Sequence, residues 1–442
     1  MDPAGSRSPQ ALGGYFHTLR GPSAQAEGVS RTLRRLARYL EKRYGFSKLL
    51  GEHLKDGRKA PQIGLPDVLR SVFLLFAQRL RSLNALEEVL KRRGKPLVGR
   101  KVPSADTIGY AYARMDPQGL REVMKGVCTL ARRNKALRQR DPSMPVTAAI
   151  DGHEHFKSFR RCCPQCLRRE VQVGQETLIQ FYHQTVVISL VDAEPPMALD
   201  AELLGPGEGE RTAALRLVKR VLREYPFIEV FSMDALYLEA PILRAIVEAG
   251  RGAIVVLKEE RRELYQDVQA LLPTLQAKEE VVDKERIECW DIPGFTSWEA
   301  MKGIPVRVVR TIRHRKVRRR IAGQWIQTLE AQDWMWATVG TASHLSALGV
   351  HRLGHARWDE EEIFNEQDQE FGLDHCFKHA PKAILNFILT LFLAQVLTEL
   401  FFTRNLKLPG LKTMSLLGLA RMLLEYPPAP SEASIWATAQ GP

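Results

Sequence analysis

Cysteine is scarce in this sequence, with six in 442 residues. That is too few for a small disulfide-stapled scaffold, so stability has to come from a hydrophobic core. The start, Met1 to Gly14, lacks a basic segment followed by an apolar stretch, so no secretory signal is read there. Long apolar runs are sparse as well. Ala383 to Phe402 has the length of a membrane span, but Asn386, Thr390, Gln395 and Glu399 interrupt it. Polar groups at those positions favour a buried core helix over a transmembrane one. The expectation is a cytoplasmic chain with no membrane partner.

What is present is ordinary globular composition, 45% hydrophobic and 26% charged, which excludes collagen-like, coiled-coil and wholly disordered chains. At about 100–200 residues per domain, the length predicts two or three domains, or one large domain carrying an insertion. The net charge of +13 is unevenly spread. Residues 30–141 hold 27 Lys/Arg against 10 Asp/Glu, a net of +17, while residues 142–442 sum to about −4. A basic segment beside a slightly acidic remainder points to a polyanionic partner, nucleic acid first.

Residues 1–29 and 424–442, rich in Gly, Pro, Ser and Ala, read as disordered tails. Between them, residues 30–141 carry helical periodicity, as in Leu33-Leu36-Ala37-Leu40 and Val68, Val72, Leu75, Phe76, Leu80. Breaks at Gly57 to Pro66 and Gly94 to Pro103 divide it into a small all-helical bundle, a basic DNA-binding or dimerisation domain. From Pro145 the character changes. Pro145 to Ile150, Thr185 to Val191, Met197 to Leu204, Ile228 to Met233 and Ala253 to Leu257 read as strands, with helices at Glu208 to Tyr225 and Ala240 to Ala249. The succession β-β-β-α-β-α-β predicts a mixed α/β (α+β) fold, in which Asp151 and Asp234 stand at strand ends. Residues 281–340 have short β-type runs and five of the seven tryptophans, Trp290, Trp298, Trp325, Trp334 and Trp336, and read as a β-rich insertion.

Phosphoryl transfer on a nucleic-acid backbone uses two divalent cations about 3.5–4 Å apart, held by carboxylates that leave positions open for water and phosphate. Asp151, Asp234 and a helix-borne Glu361 form such a set, distant in sequence but able to converge on a sheet. Their context adds to this: Ala149-Ile-Asp-Gly152, then Gly205-Pro-Gly-Glu-Gly-Glu210, then Phe231-Ser-Met-Asp-Ala-Leu-Tyr237 with Lys258 after the next strand, then Arg357-Trp-Asp-Glu-Glu361 running on to Phe364 and Leu373-Asp374-His375. This order resembles the DDE transposases of bacterial insertion sequences, the IS-four-like group. The resemblance covers roughly residues 145–405 and implies a ribonuclease-H-like catalytic core with a β-rich insertion, about 275–345, before the final Glu. It also implies that Asp151, Asp234 and Glu361 bind two Mg²⁺ or Mn²⁺ ions, and that Arg357 contacts DNA. Members of this group often have Tyr three residues before the Arg and Lys seven after the Glu, where this sequence has Gly354 and Asp368. The acidic run leaves Glu360 and Glu362 open as alternatives to Glu361.

Two further clusters carry chemistry. Cys163-Pro-Gln-Cys166, with His153 and His155 before it and His183 after it, offers thiolate and imidazole ligands to a structural Zn²⁺, although Cys162 leaves the pairing ambiguous. Arg313, Arg315, Lys316, Arg318, Arg319 and Arg320 crowd a hairpin of the insertion, at a density suited to phosphates, and neighbouring tryptophans could stack on unpaired bases. The functional expectation is a transposase that cleaves element ends at their terminal inverted repeats and joins them to target DNA, as a homodimer on DNA. A catalytically silent DNA-binding protein on the same scaffold, or a stand-alone metal-dependent nuclease, are the alternatives.

Overall fold

A helix that is apolar on every side needs partners on every side, and one such helix organises this protein. The computed structural model describes residues 22–93, 101–258, 262–282, 285–321, 324–406 and 415–424. The N-terminal part is helical: α1 (Pro22–Tyr44), α2 (Phe46–His53), α3 (Leu65–Ala77), α4 (Leu83–Arg93), α5 (Ala105–Tyr112) and α6 (Pro117–Arg133). Local chemistry sets several boundaries. Gly45, at φ 57°, turns the chain between α1 and α2. The Ser104 hydroxyl caps α5 by accepting from the Thr107 amide, and the Asp116 carboxylate accepts from the Gln118 amide ahead of Pro117 in α6.

The strands and helices that follow are β1 (Arg138–Gln139), β2 (Thr147–Ser158), β3 (Leu167–Val173), β4 (Glu176–Val191), β5 (Ala193–Glu194), β6 (Met197–Leu203), α7 (Glu210–Glu224), β7 (Val230–Met233), α8 (Ala240–Glu248) and β8 (Gly252–Val256). Next come α9 (Glu263–Leu271), β9 (Lys278–Val282), β10 (Glu285–Phe295), β11 (Val306–Ile321), β12 (Gln324–Gly340), α10 (Ala347–His355), α11 (Trp358–Glu366), α12 (Pro381–Arg404) and α13 (Leu416–Leu424). One sheet runs β3-β4-β2-β7-β8-β12-β11-β10-β9, with β6 also paired to β4, and β1 pairs separately with β5. β2, β7 and β8 are mutually parallel, while β4 and β6 on one side and β9 to β12 on the other are antiparallel additions. The wholly buried β7 and β8 are apolar apart from Ser232 because helices cover both faces. Phe231, Met233, Ala253 and Val255 turn to the main core, and Val230, Ile254 and Val256 turn to a second cluster with Val350 and Leu353 of α10.

α12 passes through the centre, packed against α1, α3, α5 and α6 and against β6. It is long and apolar enough to cross a membrane, but 94% of its apolar window is buried inside the protein. Its polar residues have internal partners. Asn386 Nδ2 donates to the Tyr112 and Met115 carbonyls at 2.9 and 3.0 Å, closing the end of α5, and Gln395 Nε2 donates to Glu366 at 3.0 Å.

Several expectations are corrected here. Residues 22–29, read as tail, are the first turns of α1, and residue 424 closes α13. Residues 1–21 and 425–442 lie outside the described residues. α12 joins the apolar face of the helical segment 30–141 and the sheet in one continuous core. Arg121 of α6 also donates to Asp200 of β6 at 2.8 Å. Finally, β2 does not end at Asp151 but continues to Ser158, because β4 keeps pairing with it.

Candidate active site

The strand register brings the first two carboxylates together. Parallel pairing of β2 with β7 ends at Ile150 opposite Met233, so Asp151 and Asp234 are the next residues on adjacent strands. β7 stops there while β2 goes on, which opens a crevice along one edge of β2. Alternation sends Ile150 and Met233 into the main core and turns Asp151 and Asp234 to the opposite face. α11 packs against β2, β4 and β6 and carries Arg357, Glu360 and Glu361 to this place.

Arg357 binds two of the expected ligands at once. Its Nη1 donates to Asp151 Oδ2 at 2.8 Å and its Nη2 to Glu361 Oε1 at 3.0 Å. The arginine is 6% exposed, so it lies inside the carboxylate centre rather than on a DNA-facing surface with the hairpin arginines. Glu361 itself is exposed. Burial pushes the Asp151 carboxyl above its usual range against the opposing pull of Arg357, and the charges of Asp234 and Glu210 push the same way. Lys258 Nζ reaches Asp234 Oδ1 at 3.3 Å from the end of β8.

Two carboxylates that were not assigned to the site also belong to this neighbourhood. Glu360 is fully buried; its Oε1 accepts from Ser189 Oγ at 3.0 Å, and its Oε2 has no hydrogen-bond partner. Burial, then the charge of Asp151, pushes its carboxyl well above the ordinary range. Glu210, at the start of α7, accepts from Tyr237 and Gln184, each at 2.5 Å. Its carboxylate lies over Gly152, where a Cβ would come within 2.4 Å of Glu210 Oε1. The glycine of Ala149-Ile-Asp-Gly152 is thus a requirement of close approach, and Glu210 was legible only as the acid ending a Gly-Pro-Gly loop. Glu362 is exposed, and Arg357 reaches Glu361 rather than Glu362.

The two departures from the expected pattern have physical causes. A Cβ at Gly354 would meet the Trp336 indole at 2.4 Å, so the indole fills the space a tyrosine would need. Trp336 stacks on Trp334, and His355 and Trp358 pack edge-on against Trp334. Asp368 lies in a π-helical turn, Gln367–Phe371, that extends α11. It sits 3.4 Å from His153 Nε2, with Asp374 at 3.6 Å from the same nitrogen. An acid at this position faces a histidine two residues beyond Asp151.

The other candidate residues sort into two places. Beyond the pairing of His314 with Arg286, β11 and β12 project as a two-stranded ribbon. Arg315, Lys316, Arg318, Arg319 and Arg320 are exposed along it, and Arg313 is half-buried at its base against Glu285. Arg319 pairs with Glu330 at 2.6 Å, and Arg318 lies over the ring of Trp325. Of the five insertion tryptophans, Trp325 is exposed, Trp336 is buried and the other three are half-buried, so base stacking as expected is open chiefly to Trp325. Cys163, Cys166 and His183 do come together, but His155 is elsewhere, with its Nε2 2.6 Å from Thr185 Oγ1. His379, from the segment before α12, takes the fourth place.

No curated protein matches the chain. Residues 180–397, a stretch that includes Asp234 and Glu361 but begins after Asp151, match the family model described as the transposase DDE domain.

Proposed function

We propose that this protein is a DNA transposase that cleaves the ends of its element and joins them to target DNA by two-metal phosphoryl transfer. The observation that carries this is the register that sets Asp151 beside Asp234, with Arg357 tying Glu361 to Asp151. The strand order β6-β4-β2-β7-β8, three antiparallel strands followed by two parallel to the central β2, supports a ribonuclease-H-like core. The matched domain supports DNA as substrate and divalent ions as cofactors.

The donor set fits Mg²⁺ or Mn²⁺. It consists of hard oxygens, and it adjoins the buried Oε2 of Glu360, which has no hydrogen-bond partner among the described residues. Asp151, Asp234 and Glu361 would hold the ions, which on binding supply an activated attacking oxygen and neutralise charge on the leaving one. Arg357 holds two carboxylates in one orientation. Lys258, beside Asp234, offers a cation to a phosphate entering the crevice. The β11–β12 ribbon presents basic side chains to the DNA backbone, as does α1, where Arg35, Arg38, Lys42 and Arg43 line one groove. Coordinated joining needs one site on each element end, so the working form is at least a dimer on DNA.

A second reading has one observation in its favour. Arg357 is itself a counterion for Asp151 and Glu361, which would suit a silent DNA-binding scaffold that no longer takes metal. Asp151→Ala, Asp234→Ala and Glu361→Ala separate the two. Each variant is expected to lose strand cleavage in Mg²⁺ or Mn²⁺ while binding paired element ends as a dimer, seen by light scattering. A wild-type protein that binds one end as a monomer and releases no cleaved strand in either metal would overturn the transposase reading.

A further inference from the structure

We propose that Cys163, Cys166, His183 and His379 bind a structural zinc ion that clasps the outer end of the paired strands β2 and β4 to the segment leading into α12. The argument rests on donor geometry. Zinc holds thiolate sulfur at about 2.3 Å and imidazole nitrogen at about 2.0–2.1 Å in a tetrahedron, so its donors lie roughly 3.3–3.8 Å from one another. Here the two sulfurs are 3.7 Å apart. His183 Nε2 lies 3.4 Å from Cys163 Sγ and 3.3 Å from Cys166 Sγ, and His379 Nε2 lies 3.2 Å from Cys166 Sγ. All four donor atoms fall within 4.8 Å of one another.

Ordinary hydrogen bonding does not account for this convergence. Cys166 has one thiol proton, yet its sulfur meets Cys163, His183 and His379 together and also faces the backbone N–H of Cys163, at 3.2 Å. Three separate stretches of chain direct soft donors to one point, which is what a single cation with four positions requires. The chain carries free thiols here rather than a disulfide. His183 and His379 lie edge to face at 5.5 Å, and Phe156 packs against both rings, which limits water and holds their orientation.

The position gives the ion a purpose. Cys163 and Cys166 follow β2, the strand of Asp151, and His379 follows α11, the helix of Glu361. Cys166 and His379 are 213 residues apart, so the ion would close a long loop and hold these two approaches to the carboxylate centre in register. It is distinct from that centre, whose donors are all oxygens.

The test reads metal content and coordination, not strand cleavage, so it stands or falls separately from the transposase reading. Full-length protein, purified reduced, stripped of metal and refed with Zn²⁺, is expected to hold one zinc per chain. Co²⁺ in its place should give the visible spectrum of a tetrahedral thiolate site, and X-ray absorption of the zinc form should show two sulfurs and two nitrogens. His379→Ala should weaken zinc binding by more than about 10-fold, whereas His155→Ala and Cys162→Ser should leave it unchanged. If folded wild-type protein with reduced thiols takes up no zinc or shows oxygen-only coordination, the proposal fails. It fails equally if His155→Ala loses the metal and His379→Ala keeps it. The wild-type spectra decide the matter even where a cysteine variant does not fold.

Discussion

Replacing Glu360 by glutamine tests whether the buried acid beside Asp151 is a neutral neighbour or a working ligand. Glu360 is fully buried, with one hydrogen bond from Ser189 and one unpartnered oxygen. Burial, reinforced by Asp151, raises its folded pKa well above the unfolded value. A raised carboxyl keeps its proton in the folded state after the unfolded chain has lost it. Its stabilising contribution is therefore full below the ordinary glutamate range and is lost as pH rises toward the folded pKa. Within that window the slope is about 1.4 kcal/mol per pH unit for one such group. Glutamine has the same shape and no proton to lose. Denaturant unfolding of metal-free protein at half-unit steps from pH 5 to 7 is expected to show wild type losing up to about 1.4 kcal/mol per unit more than Glu360→Gln. Glu366, Glu399 and Asp374, also raised by burial, act in both proteins and cancel in the comparison. Parallel pH profiles would refute the reasoning. With Glu361 as the proposed ligand, the same variant should cleave DNA at a rate close to wild type, and complete loss of cleavage would move that role to Glu360.

The ribbon and the tryptophan cluster carry the remaining predictions. Lys316 and Arg318 alternate onto one face of β11, so replacing both by alanine should make the log–log salt dependence of DNA affinity in the full-length protein shallower by about 1.8, or about 0.9 for each lost phosphate contact, and an unchanged slope would remove this face from the DNA interface. Gly354→Tyr should destabilise the protein by about 1–3 kcal/mol or more because its Cβ would meet the Trp336 indole at 2.4 Å, and a neutral effect on the melting temperature would mean that the indole moves aside.

Much of the α/β part was legible because the signals were local. Short apolar runs punctuated by Gly-Pro-Gly predicted β2, β4, β6, α7, β7, α8 and β8 in order but missed β3 and β5, and β7 and β8 are buried on both faces as their mostly apolar character required. The polar residues of the long apolar run also indicated a core helix, since Asn386, Thr390 and Gln395 bond to groups inside the protein. Cys163, Cys166 and His183 were recognisable as a group because two of them share a short motif and the third lies nearby in sequence.

Side-chain environment was decided by tertiary structure alone. Glu360, Glu361 and Glu362 are equivalent as letters, and only the rotation of α11 against β4 buries the first, joins the second to Arg357 and exposes the third. Arg357 reads as a surface cation in sequence, yet it becomes an internal bridge because Asp151 sits 206 positions away in sequence and next to it in space. His379 carried no local signal, being 213 residues from the cysteine it faces. Nor does sequence show how the helices and the sheet share their core. A boundary read from composition follows where charge changes, whereas α12 needs apolar partners all round and recruits helices and sheet into one core. Local propensity and periodicity are written along the chain, but contacts between distant segments depend on register and packing, and these exist only once the sheet has formed.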